Sequence, residues 1–131
     1  MSWRDAPLYV RVADLAQDLA RRVDARPEDP YPHLRSQISD EALGLLRAVT
    51  LALSFPSSRA SALEQADHRA ASLRVLVVLG AELGVLSHGG ARRAGEELAE
   101  IGRMIGGWRR RKPGPTITVE PVSSGAEPPP A

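Results

Sequence analysis

Glu100-Ile101-Gly102-Arg103-Met104-Ile105-Gly106-Gly107-Trp108, followed at once by Arg109-Arg110-Arg111-Lys112, is the stretch on which the reading of this chain turns. With the residues before it, it forms one apolar stripe at steps of three and four: Ala91, Ala94, Leu98, Ile101, Ile105 and Trp108. That spacing predicts an amphipathic helix. Three glycines stand inside it, each costing about 1 kcal/mol relative to alanine in a helix interior. Gly102 and Gly106 have the small-x-x-x-small spacing that lets another backbone come close, so a neighbouring helix or chain is expected against them. The helix ends on a tryptophan, and its last turn is loaded with cations that complement the helix dipole.

Working backwards, three more segments carry the helical period. Leu8, Val12, Leu15, Leu19 and Val23 mark a first helix from Pro7 to Val23, with Asp18 and Arg22 paired one turn apart on its other face. Pro27, Pro30 and Pro32 end it, and Pro32 suits the first position of the next. The second helix shows Leu34, Ile38, Ala42, Leu45, Val49 and Leu53 and stops at Phe55-Pro56. A third is expected from Ser61, where Ser61 and Glu64 fit a capping box, through to Leu86. Ser87 can cap the fourth. The only run that alternates at period two is Thr116-Ile117-Thr118-Val119, so no strand is expected in the core.

Four helices with short connections predict an all-α fold, an antiparallel up-down four-helix bundle over residues 1–112. Its expected core includes Leu15, Leu19, Leu45, Val49, Leu76, Leu83, Leu98 and Ile105. Residues 113–131 form a proline-rich tail with too little apolar surface to offset its ordering entropy, and it is expected to be disordered. From Val75 to Leu86 only Glu82 is polar. A bundle helix normally keeps a polar outer face. The run therefore predicts a second subunit against the third helix, the alternative being that this helix is the most central one of a monomer, with Val77, Val78, Gly102, Gly106 and Trp108 as packing or interface residues.

Composition narrows the chemistry. The 131 residues contain no cysteine, which removes thiolate catalysis and cysteine-based metal sites. Formal net charge is +1, but residues 1–112 carry +3 and the tail −2. No run of apolar residues is long enough to span a bilayer, so a cytoplasmic protein without a membrane partner is expected. His33 and His88 fall at helix starts. His68 stands beside Glu64 and Asp67, but the Glu-x-x-His pairs of di-metal bundles are absent. No metal site, cofactor or catalytic residue is expected. The remaining chemistry is cationic: Arg69, Arg74, Arg103 and the Arg109, Arg110, Arg111, Lys112 cluster, most without an acid one turn away. Repeated around a symmetry axis, such cations make a strong positive field, for which nucleic acid is the natural partner.

The helical pattern, Leu73-Arg74-Val75-Leu76, and above all Glu100-Ile101-Gly102-Arg103-Met104-Ile105-Gly106-Gly107-Trp108 resemble the accessory variability determinant of diversity-generating retroelements. The similarity covers residues 8–112 and leaves the tail unmatched. It implies a pentameric ring of four-helix bundles, a homo-oligomer that is not itself catalytic. It also implies binding to the element's reverse transcriptase and to template RNA or cDNA in support of mutagenic reverse transcription. The alternative is an interaction bundle similar to the proteins encoded in ribosomal-RNA intervening sequences, without a retroelement role.

Overall fold

The computed structural model describes residues 2–25, 28 and 30–111. The proline-rich tail and Lys112 lie outside the described residues. Four long helices follow one another: α1 (Pro7–Asp24), α2 (Pro32–Ser54), α3 (Arg59–Glu82) and α4 (His88–Arg110). Short 3-10 turns at Trp3–Asp5 and Pro56–Ser58 precede α1 and α3. No strand occurs among the described residues. Each helix packs on the next, and α4 closes back on α1. No helix of the described residues is long and apolar enough to cross a membrane.

The helices start where the backbone chemistry allows. Pro7 and Pro32 occupy first-turn positions of α1 and α2, where the missing N–H has no intrahelical acceptor to lose. Ser87 caps α4, its hydroxyl accepting the N–H of Gly90 at 3.0 Å. The expected Ser61–Glu64 capping box does not form. The helix begins two residues earlier, with Ser58 at its N-cap. Arg59 helps fix that start: its Nε donates to the carbonyl of Ala52 at 3.1 Å, tying the first residue of α3 to the last turns of α2.

One stripe from each helix makes the core. Leu15, Leu19, Leu45, Val49, Leu98 and Ile105 are all buried, as the periodicity predicts. Two expected members differ: Leu76 is only half-buried and Leu83 is exposed. The cause lies at the end of α3. The run Val75–Leu86 is not one helix. Gly84 adopts a left-handed φ of +80°, the N–H of Val85 donates to the carbonyl of Gly80 at 2.8 Å, and that of Gly84 reaches Ala81. This is a Schellman C-cap, which stops α3 at Glu82 and leaves Leu83 on the outside. Val85 and Leu86 then turn back into the core. The core line of α3 passes through Ala66, Ala70, Leu73, Val77 and Gly80 instead.

No polar or charged residue is fully buried among the described residues. The bundle interior is therefore apolar, and its charged groups lie toward the surface.

Candidate nucleic-acid and partner surface

The sequence-predicted cations divide into paired and unpaired groups. Arg69 projects from α3 across Gly44 to Glu41 on α2, with Nη1 to Oε2 at 3.2 Å. A Cβ at Gly44 would come within 3.0 Å of that guanidinium, so the glycine makes room for it. Arg109, near the end of α4, donates to Asp67 of α3 at 2.6 Å. Arg103 grips Glu100 one turn back, at 2.7 Å. Of these pairs, only the Glu100–Arg103 pair lies at a same-helix spacing; the expectation that Arg69 and Arg109 are free of acids does not hold.

The Arg103 pair also shifts the titration of its carboxylate partner. Its hydrogen bond, and then its charge, hold the Glu100 carboxyl below the usual carboxylate range, with a smaller contribution from Arg11. Arg103 is largely exposed and Glu100 partly so, so the pair is screened by solvent.

Arg74, Arg110 and Arg111 are exposed and form no ion pair among the described residues. Arg110 and Arg111 lie together at the C-terminal end of α4, where the unsatisfied carbonyls favour cations. One further arginine belongs to the same end: Arg59 lies over the ring of Trp108 with its guanidinium carbon 5.0 Å from the centroid. Arg4 stands 5.3 Å from the ring of its neighbour Trp3. Sequence reasoning did not single out either one. A cation–π partner is not visible from local spacing, since Arg59 and Trp108 belong to different helices.

The expected packing residues also separate. Val77 is 1% exposed and belongs to the core of the subunit, so it is not open to a second one. Trp108 is half-buried against that same core, under Arg59. Val78, by contrast, is 58% exposed, beside Val75 at 67%. Gly102 and Gly106 are not filled by a neighbouring helix: a Cβ at Gly102 would meet nothing within 4 Å, and one at Gly106 only the Arg110 side chain. Gly90, by contrast, is closely approached, since a Cβ there would come within 2.6 Å of the Arg22 guanidinium of α1.

His68, Glu64 and Asp67 do not converge on a metal position, and no such cluster occurs among the described residues. His33, His68 and His88 are exposed. A cleft of about 390 Å³ runs between α1 and α4, lined by Val10, Arg11, Asp14, Asp18, Arg93 and Glu97. Arg11 bridges to Glu97 at 3.2 Å and Asp18 to Arg22 at 2.7 Å, so much of its charge is matched locally. Comparison with protein-family models, curated proteins and solved structures returns no match.

Proposed function

We propose that this chain is a non-catalytic accessory protein of a diversity-generating retroelement, binding the element's reverse transcriptase and its template RNA or cDNA in the cytoplasm. The subunits assemble into a ring-shaped homo-oligomer, a pentamer on the family's pattern. Within each subunit the bundle is antiparallel and up-down. The connections are short, and the contacts pair opposite ends. The end of α4 meets the start of α3 through Arg109 and Asp67, while Gly90 at the start of α4 lies against Arg22 at the end of α1. Ile38 near the start of α2 meets Gly80 near the end of α3.

The observation that carries the functional reading is the set of unpaired arginines on a surface without a catalytic arrangement. Arg110 and Arg111 at the α4 terminus, with Arg74 on α3, have no acid to answer them among the described residues. Phosphates are the ligands such guanidiniums bind best, by paired N–H donors. Arg69, Arg103 and Arg109 remain positive but contribute less, because each already holds a carboxylate. Self-association is supported by the exposed valines of α3 and by the unfilled glycines of α4.

Replacing Arg109, Arg110 and Arg111 together with alanine tests this. RNA affinity, read by fluorescence anisotropy, falls, while far-UV circular dichroism stays that of the parent bundle. Unchanged RNA binding in that variant, or failure of the parent chain to associate with the transcriptase of such an element, refutes the proposal. The interaction bundle without RNA then takes its place.

A further inference from the structure

The outer face of α3 is a regular ridge. Glu64, His68, Ala71, Val75, Val78 and Glu82 recur at steps of three and four, opposite the buried line through Ala66, Leu73 and Val77, and all six are exposed. Its middle is apolar and its two ends are acidic. None of the described residues covers it.

A second surface has the complementary form. On α4, Gly95, Ala99, Gly102 and Gly106 make a line of small residues beside the core stripe. A Cβ placed at Gly95 or Gly102 would meet no atom within 4 Å, so the line is a shallow open trough. Arg92 stands at one end. At the other, the Arg110 guanidinium folds over Gly106, with Nη1 3.2 Å from where a Cβ would be.

The charges match in sign and in spacing. Glu64 and Glu82 are eighteen residues apart, and so are Arg92 and Arg110, about 27 Å along a helix in each case. None of the four takes part in an ion pair among the described residues. Val78 stands in the same register between its acidic ends as Gly106 does between the two arginines, and Val75 falls within one residue of the register of Gly102. We infer that the partner seated on this face is a second copy of the chain, the α3 ridge of one copy packing into the α4 trough of the next, with Glu64 and Glu82 set against Arg92 and Arg110. The inference rests on the self-association proposed above and gives it a defined contact. It also explains Gly95 and Gly102, which no neighbour among the described residues requires.

Charge reversal tests it. The double variant Glu64→Arg, Glu82→Arg leaves every cation of α4 in place, including Arg110, which the RNA reading also uses. Its mass by multi-angle light scattering at micromolar concentration drops to that of the subunit, with self-association weakened at least tenfold and helicity retained. Adding Arg92→Glu and Arg110→Glu to the same chain restores the parent mass. Gly102→Leu fills the trough without touching a charge, and it too gives the subunit mass with the bundle intact. A parent oligomer whose mass the first double variant leaves unchanged overturns this contact and leaves self-association standing. Loss of association that the four-fold variant fails to restore overturns the charge pairing. A parent chain that is a single subunit at micromolar concentration overturns both the contact and the assembly it rests on, whatever its RNA binding.

Discussion

Two glycine-to-alanine substitutions, Gly84→Ala and Gly102→Ala, are predicted to move stability in opposite directions. Gly84 is the left-handed residue that ends α3, at φ +80°. No atom lies within 4 Å of a Cβ built there, so the penalty is purely one of backbone conformation. Holding an L-residue in that region costs roughly 1–2 kcal/mol. The unfolded chain loses freedom when glycine becomes alanine, which returns about 0.4–1 kcal/mol. The net expectation is a loss of about 1 kcal/mol. Gly102 lies in the interior of α4, and its Cβ would also find open space. Here the helix propensity of alanine is gained with no clash, about 0.8–1 kcal/mol. The two variants should therefore differ by about 2 kcal/mol. For a domain of this size that separates their midpoints by on the order of 10 °C. Thermal unfolding followed by circular dichroism, on samples that light scattering shows to be single chains, keeps any assembly out of the comparison. A Gly102→Ala variant less stable than the parent under those conditions would mean that the subunit itself needs the glycine. A neutral Gly84→Ala variant would refute the C-cap assigned to α3.

Two further perturbations separate adjacent or paired residues. Val77→Asp puts a charge into a site only 1% exposed, without a partner, and should unfold the bundle; Val78→Asp, at 58% exposure, should change subunit stability by less than about 0.5 kcal/mol while weakening self-association. Urea unfolding and light scattering on the pair decide it, and a folded Val77→Asp protein would contradict the core assignment. The Glu100 carboxyl should titrate below the ordinary range by NMR, and Arg103→Gln should raise its pKa, because the hydrogen bond and charge that lower it are removed. Its small stabilising contribution is present above the unfolded-state pKa and is lost as pH falls through the depressed folded value; a Glu100 titration unmoved by Arg103→Gln would refute the assigned cause.

Much of the bundle is legible in the sequence because its helices carry local signals. The period of three and four fixes the buried stripes of α1 and α4, and Ser87 marks the start of α4 by the capping chemistry it then performs. The end of α3 is harder to read. Val75 to Leu86 is so uniformly apolar that the pattern does not register the turn, although Gly84 followed by an apolar residue is the signature of the cap that forms. Leu83 is misassigned for that reason. Ser61 and Glu64 mimic a capping box, yet Arg59 anchors the helix start two residues earlier through a carbonyl of α2. The cationic surface is legible only where pairing is local. Glu100–Arg103 lies on one helix at a readable spacing, whereas Arg69–Glu41 and Arg109–Asp67 join different helices and depend on their packing.

The central claim is that this bundle meets nucleic acid through guanidiniums its own fold leaves unpaired. Its most direct test is the salt dependence of binding to single-stranded RNA. Each phosphate contact contributes a log–log slope of about −0.7 on single strands. Contacts from Arg74 and Arg111, which the contact between copies leaves free, thus predict a slope of about −1.4 or steeper for the parent chain. A parent chain that binds RNA with a slope near zero, or does not bind it at low salt, contradicts the account.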